Sequence, residues 1–178
     1  MKPIRRLALA VTAVSLIGFT ACAPITVTSF TERGVDPSTY RTFAWDRTDT
    51  AVPGDPRLDN NPFFHEYVRE AIDLQLIMRG YERSGLQPDL RVHYHASSRQ
   101  KTNITGLEPT TQRCRDCAVE VYDEGTLLID LTDARTGTLV WRGVAKSGLA
   151  GAVDNQTKME ETIERVVARI FAKLPRRS

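Results

Sequence analysis

The stretch Thr126–Gly143, TLLIDLTDARTGTLVWRG, decides the fold class of this 178-residue chain. Apolar side chains recur at every second position, at Leu127, Ile129 and Leu131, which is typical of a β-strand with one buried face. The segment 133–137 (DARTG) predicts a tight turn because its glycine can adopt positive φ. Apolar residues resume at Leu139. The stretch therefore predicts an antiparallel β-hairpin.

The apolar positions also indicate how the two strands of this hairpin pair. The expected pairs are Leu131 with Leu139, Ile129 with Trp141, and Leu127 with Gly143. Every bulky side chain on that face is then apolar, which supports the register. On the other face, Asp130 and Arg142 are expected to lie diagonally and to pair by charge.

A helix with clear ends is predicted upstream of the hairpin. Asn61 is a favourable N-cap, Pro62 fits the first helical position, and Gly80 can end the helix in the left-handed conformation. Helical spacing places four apolar residues on one face, with Tyr67 and Leu76 at its edges. These four are Phe64, Val68, Ala71 and Ile72.

A second amphipathic helix is predicted at the C-terminal end. Thr157 and Glu160 form a capping box at its start, and Pro175 ends it. Its apolar face is predicted to consist of Met159, Ile163, Val166, Val167, Ile170 and Leu174. Both helices therefore have one face suited to packing on a sheet.

Three further strands are expected, over Ile25–Phe30, Tyr40–Asp46 and Asp89–Ser97. Residues 98–117 are polar and aperiodic, which predicts a long loop. We therefore expect an α+β fold, a two-layer sandwich in which a mainly antiparallel sheet of four to five strands carries two helices on one face. A single domain is expected over residues 40–175.

The N-terminus has the layout of a secretory signal. Lys2, Arg5 and Arg6 precede the uncharged segment 7–19, which is shorter than the roughly 20 residues that a membrane-spanning helix needs. Small residues then stand directly before Cys22, as in the lipobox of bacterial lipoproteins. An ordinary signal peptide with a chance cysteine is the alternative.

We expect residues 1–21 to be removed as a signal peptide and Cys22 to carry the lipid anchor. Residues 22–39 are then the lipidated N-terminus and tether. Ala23, in place of an aspartate after the cysteine, points by analogy with lipoproteins to the inner leaflet of the outer membrane, facing the periplasm.

Removal of the signal also changes the charge balance. The full chain has 24 basic and 22 acidic residues, and loss of Lys2, Arg5 and Arg6 leaves 21 basic against 22 acidic residues. A near-neutral domain without a basic stripe does not favour nucleic-acid binding.

Four segments together resemble a known family. They are Tyr40–Trp45 (YRTFAW), Asp89–Tyr94 (DLRVHY), Glu124–Leu131 (EGTLLIDL) and Asp133–Gly143 (DARTGTLVWRG). The resemblance, which runs from about Tyr40 to Pro175, is to a family of bacterial lipoproteins known as domain of unknown function 4136. It implies an envelope compartment and an α+β fold, and it transfers no catalytic residues.

Cys114 and Cys117 remain available once Cys22 carries lipid, and an oxidising compartment favours a disulfide between them. Their spacing is also found in thiol-redox and zinc motifs. A redox cysteine needs a helix N-terminus to lower its pKa, whereas the following residues 118–122 (AVEVY) alternate like a strand. We therefore interpret the pair as a small structural disulfide.

Other residues with chemical potential have simpler interpretations. His93 and His95 could join the cysteines in a zinc site, but a solvated strand face is our preferred interpretation. Trp45 and Trp141 could stack a sugar, but both are expected in the core. We assign no acid–base role to the acids around the hairpin start, Asp123, Glu124 and Asp130. No catalytic residue, metal site or cofactor is expected.

Three functions are compatible with these observations. The preferred one is a non-enzymatic envelope lipoprotein that binds or assembles with an unidentified envelope protein. The second is a periplasmic carrier of a lipid or other apolar ligand, which requires a deep apolar cavity. The third is a thiol-redox or zinc-dependent protein that uses Cys114 and Cys117. The expected partners are the membrane, through the lipid, and an envelope protein or apolar ligand.

Overall fold

Alternating apolar side chains build one mixed sheet of six strands in the computed structural model, which describes residues 24–46, 56–107, 114–149 and 151–176. The strands are β1 (Thr26–Thr31), β2 (Thr42–Trp45), β3 (Glu82–Arg83), β4 (Leu90–Leu107), β5 (Cys114–Asp133) and β6 (Leu139–Gly148). Across the sheet they follow the order β1-β6-β5-β4-β2-β3. The predicted signal peptide, residues 1–21, and Cys22 lie outside the described residues.

Three helices are described: the short α1 (Pro56–Asp59), α2 (Pro62–Ile77) and α3 (Gln156–Phe171). The apolar faces of α2 and α3 join the apolar side of the sheet in one core. In the described part of the chain, no helix is both long and apolar enough to span a bilayer.

The predicted α+β class is confirmed, but the sheet has more strands than the four to five expected. The missed strand is β3, whose two residues are too short to show a period. The sheet is also less purely antiparallel, because β2 runs parallel to both β3 and β4. The chain passes through α2 between β2 and β4, and such a crossover connection allows parallel strands.

The predicted hairpin is present, but its register differs by two residues. Leu131 pairs with Trp141 and Ile129 pairs with Gly143. One residue of the difference arises at the turn, where Thr132 pairs with Leu139, and the other from a bulge at Val140 that adds one residue to β6. A shift of two residues keeps each side chain on its predicted face, so Ile129 and Trp141 are fully buried. Leu139 precedes the bulge and is only half-buried.

In the same register, Asp130 and Arg142 lie directly opposite each other rather than diagonally. The guanidinium of Arg142 donates two hydrogen bonds to the Asp130 carboxylate, over 2.7 and 2.6 Å. The predicted charge pair is therefore formed with bidentate geometry.

The long loop predicted over residues 98–117 is wrong. Residues 98–107 continue β4, and residues 114–117 belong to β5. These segments lack one apolar face because they extend past the helices, so the usual sequence signal of a half-buried strand is absent.

The domain boundary predicted at Tyr40 is also wrong. β1 pairs antiparallel with β6 over residues 26–31, so the tether predicted over residues 22–39 cannot extend beyond residue 25. Ile25 and Val27 pack against the core. The folded domain therefore begins close to Cys22.

The helix ends follow local capping rules. The Asn61 side chain accepts a hydrogen bond from the Phe64 amide over 3.2 Å, and Gly80 adopts a φ of 87°, both as predicted. The second helix is capped differently: Asn155 accepts from the Lys158 amide over 3.0 Å, in place of the predicted Thr157. Asparagine is the stronger N-cap and starts the helix two residues earlier.

Candidate functional site

The most unusual feature of the fold is an arm in which β4 and β5 continue without other strands. We define the arm as residues 98–107 of β4 paired with residues 114–125 of β5. β6 pairs with β5 only from Glu124 onward, and β2 pairs with β4 only up to Val92. Ten residues of extended strand reach about 33 Å, so the arm projects well beyond the two-layer core.

One face of the arm exposes aliphatic side chains. Ile104 lies directly opposite Val119, and Val121 is the next residue on the same face. These three side chains, which we call the apolar stripe, are 48%, 64% and 58% exposed, respectively. The face is continuous with the helix-covered side of the sheet, because the register places Ile129, Leu127 and the stripe on one side.

The other face of the arm carries charges that pair across the strands. Arg99 lies 3.0 Å from the Glu124 carboxylate, and Lys101 lies 3.6 Å from it. The hydrogen bond from Arg99 lowers the pKa of Glu124, so this carboxylate stays ionised. This polar face is expected to remain hydrated. Exposure of the apolar stripe to water is unfavourable, so a partner that covers it would be favoured.

The base of the arm is fixed to the helical layer by α1. Arg57 donates hydrogen bonds to the carboxylate of Asp123 and to the hydroxyl of Ser98, each over 3.2 Å. These contacts join one residue from each arm strand to the helix. The arm therefore has a defined direction relative to the core at its base.

In the described ranges, both backbone edges of the arm lack a neighbouring strand except at Glu124 and Gly125, which pair with the end of β6. Each such edge presents alternate N–H and C=O groups that can pair with an added strand. Arg99 and Lys101 lie on the polar face of the arm. Charged residues on edge strands oppose unspecific pairing with other strands. The edges and the apolar stripe together form a surface suited to another polypeptide.

The two predicted disulfide cysteines lie toward the tip of the arm. Between the pairs Thr105–Ala118 and Leu107–Cys114, β5 contains two more residues than β4. In a regular strand, residues three apart are separated by about 10 Å, too far for a disulfide. The extra residues shorten this path, but the side chain of Cys114 lies outside the described part, and the disulfide stays a prediction.

The proposed zinc ligands are not brought together. His95 and Cys117 are on opposite strands, and Cys117 lies near Thr105, ten residues along β4 from His95. Ten residues correspond to about 33 Å, far beyond a metal–ligand distance. Among the described residues, no group of three metal-binding side chains is present. His93 instead lies opposite Asp130.

The two tryptophans also lie apart, and they have different surroundings. Trp141 is fully buried and contacts the ring of Phe171, with centroids 5.7 Å apart. Trp45 is half-buried, and its indole N–H donates to Asp73 over 3.0 Å. The guanidinium of Arg69 covers the Trp45 ring at 4.7 Å. Neither ring is open for stacking a sugar.

A polar network next to Trp45 had not been predicted from the sequence. The hydroxyl of Tyr94 lies 2.5 Å from Nδ1 of His65, and Nε2 of the same histidine lies 3.0 Å from the carbonyl oxygen of Asp59. Burial raises the pKa of Tyr94 to about 12, and burial also raises the pKa of Asp73. Tyr94 lies on the same face of β4 as the buried Leu90 and Val92, so its ring extends the core while its hydroxyl joins this network.

An apolar cavity of about 60 Å³ lies between the helices and the base of the arm. Phe64, Leu127, Leu149 and Ile163 contribute to its wall. Binding sites for drug-sized molecules usually have volumes of roughly 300–1,000 Å³. The cavity is therefore small for a lipid.

The family model for domain of unknown function 4136 (DUF4136) matches residues 26–176. The chain belongs to this family. The match includes β1 and extends the resemblance predicted from Tyr40. None of the curated proteins is similar in sequence to this DUF4136 chain.

Solved structures share the fold of this DUF4136 chain at low sequence identity. A PDZ domain protein from Parabacteroides distasonis is 15% identical with a TM-score of 0.55; the match covers 86% of this chain but only 37% of that protein. A PelC dodecamer from Paraburkholderia phytofirmans is 9% identical with a TM-score of 0.52, covering 87% of this chain and all of the other. A minor lipoprotein from Acinetobacter baumannii is 10% identical, covering 76% and 92% of the two chains, but its TM-score of 0.41 is too low to show a shared fold.

Proposed function

We propose that this chain is a non-enzymatic lipoprotein of the cell envelope that acts as an assembly module through its arm. In this proposal, Cys22 carries the lipid and holds the domain on the inner leaflet of the outer membrane. The observation that carries the assembly role is the apolar stripe, which exposes Ile104, Val119 and Val121 on one face of the arm.

The stripe favours a protein partner because it combines apolar area with free backbone edges. Strand addition along β4 or β5 would satisfy the N–H and C=O groups of the edge, and a partner side chain could cover the aliphatic residues. The stripe carries no charge, so a matching surface would also be uncharged. A second copy of the same arm meets this requirement, and we propose it as the partner.

The structural relatives make a second copy the first partner to test. The PelC structures with this fold are dodecamers, and the match covers 100% of the PelC chain. For the present chain, self-assembly is a proposal supported by its own exposed stripe.

A carrier of an apolar ligand is less well supported than an assembly module. A carrier needs room for its ligand between sheet and helices, and the cavity there is about 60 Å³. A thiol or zinc enzyme is also less well supported, because β5 holds Cys114 and Cys117 on a strand instead of at a helix start.

The assembly role is tested by charge substitution on the stripe. Two differently tagged copies of the full chain are expressed in the same cells, treated with a crosslinker and recovered through one tag. We expect the second tag to co-purify with the native chain. The double variant V119D/V121D should reduce recovery several-fold, because a charge in an apolar interface is costly to desolvate.

The matched control is Leu86→Asp, which changes an apolar side chain that is 95% exposed at the opposite end of the sheet. It should leave recovery of the second tag unchanged. Co-purification that is equal for the native chain and V119D/V121D would contradict the arm as the assembly surface. Crosslinking to a different protein, with no second copy, would contradict the proposed partner.

A further inference from the structure

A second surface with a different chemistry lies on the other face of the arm. It is a groove of about 510 Å³, which we call the β1 groove. Pro24 and Thr26 at the start of β1 form one side, Glu120 and Tyr122 of the arm form the other, and Lys146 of β6 lies between them.

The groove exists because the sheet narrows abruptly at this point. Thr26 pairs with Lys146, and β6 ends at Gly148, whereas β5 continues into the arm. The polar face of the arm therefore stands beside the end of a shorter strand pair. Because side chains alternate along β5, Glu120 and Tyr122 face the groove while Val119 and Val121 belong to the apolar stripe.

The lining of the groove includes one lysine, two glutamates and the amphipathic ring of a tyrosine. Lys146 and Glu120 are exposed and form no ion pair among the described residues. Tyr122 is 38% exposed. Glu124 also lines the groove, where Arg99 and Lys101 form ion pairs with it and the charge of Lys146 acts on it as well. Because Arg99 and Lys101 already balance Glu124, the charges of Lys146 and Glu120 match a ligand that itself carries an anionic and a cationic group.

The position of Pro24 in the groove relates the groove to the membrane through the lipid anchor proposed at Cys22. Pro24 lines the groove and follows Cys22 by two residues, which span at most about 7 Å. The next residue, Ile25, already packs against the core. No long tether therefore separates Cys22 from the folded domain. If Cys22 is anchored in a bilayer, the β1 groove lies at the level of the lipid headgroups.

We propose that the β1 groove binds the headgroup of a zwitterionic phospholipid with a primary ammonium group. Lys146 contacts the phosphate, Glu120 accepts from the ammonium, and Tyr122, which lies between them along β5, packs beside the two carbons that join phosphate and ammonium. The inference rests on the lipid anchor at Cys22 proposed above. It places the membrane and the protein partner on opposite faces of the same arm.

The experiment uses the full chain with its own lipid, reconstituted in vesicles that contain phosphatidylethanolamine, phosphatidylcholine and phosphatidylglycerol in equal amounts. A photoreactive benzophenone amino acid replaces Tyr122 in one variant and Leu86 in the control variant. Mass spectrometry then identifies each lipid adduct. We expect several-fold more lipid adduct at position 122, enriched in phosphatidylethanolamine because, of the three lipids, only its headgroup offers Glu120 a positively charged N–H donor.

Two further variants separate the contributions of the two charges. Adding Glu120→Gln should abolish the preference for phosphatidylethanolamine, and adding Lys146→Met should reduce all lipid adducts at position 122 several-fold. Equal adducts at positions 122 and 86, or equal yields of the three lipids at position 122, would overturn the inference while leaving the anchor intact. A Cys22 peptide without lipid mass would overturn the anchor and this inference together.

Discussion

Tyr94 shows at the scale of one residue how a polar group is accommodated on the apolar face of a strand. Its ring lies edge-on to Trp45, with centroids 6.0 Å apart, and its hydroxyl contacts His65. Burial raises the pKa of Tyr94 to about 12, since the phenolate would lose its hydration. The residue therefore combines core packing with a hydrogen bond to α2.

We predict that Tyr94 ionises later than an ordinary tyrosine. Its folded pKa lies above the reference value of 10.0, so the stability that the neutral phenol contributes is complete below pH 10 and is lost as pH rises toward 12. An absorbance titration of phenolate in the native chain should show a component near pH 12. The Tyr94→Phe variant should lack this component and keep the others. If the variant instead lost a component near pH 10, the assigned environment of Tyr94 would be wrong.

At the scale of elements, Gly143 controls how closely α3 approaches β6. A Cβ atom at this position would collide with Cγ2 of Ile170 and with the Trp141 ring. Because these side chains are buried in the core, neither can move away freely. The absence of a side chain at Gly143 therefore sets the packing of the C-terminal helix on the sheet.

We predict that Gly143→Ala destabilises the domain by about 1–3 kcal/mol, the usual range for overpacking a close-packed core. Urea unfolding monitored by tryptophan fluorescence measures the change. Gly85→Ala is the control, because nothing lies within 4 Å of the added methyl group. It should change the unfolding free energy by no more than roughly 0.5 kcal/mol. Equal midpoints for the two variants would show that the helix can shift without cost.

The elements that could be predicted from sequence are those with one buried face. Helix α2 and the Leu127–Leu131 strand were recognised because their apolar period matches their geometry. The register of the hairpin was not predictable to the residue, because the bulge at Val140 has no sequence signature here. The arm was missed over residues 98–107, since both of its faces are exposed and no period marks them.

The apolar stripe could not be predicted from the sequence either. Val119 and Val121 alternate, and this did predict a strand, but nothing in the sequence shows that helices stop short of it. Ile104 stands within a polar segment and is brought opposite Val119 only by strand pairing. A surface made by pairing distant segments cannot be read from either segment alone.

At the scale of the whole molecule, the position of β1 determines how the domain would sit on the anchor proposed at Cys22. β1 pairs along its full length with β6, so only residues 23–25 separate Cys22 from the sheet. If Cys22 carries the proposed lipid, so short a tether would keep the domain close to the membrane. Assembly through the arm would therefore occur near the bilayer surface, among copies that diffuse in the same plane, which raises their effective concentration.

We predict that membrane attachment depends on Cys22 alone among the three cysteines. Cys22→Ser removes the thiol that lipid is attached to, so the chain should appear in the soluble envelope fraction or remain unprocessed. The control replaces both Cys114 and Cys117 with serine; it should stay membrane-bound and folded, because a disulfide closing so short a loop contributes only about 2 kcal/mol. Fractionation followed by mass measurement of the N-terminal peptide distinguishes these outcomes. Normal cleavage of Cys22→Ser together with unchanged membrane retention would mean that another part of the chain holds the protein on the membrane. A short tether at Cys22 would then not be what keeps the domain close to the bilayer.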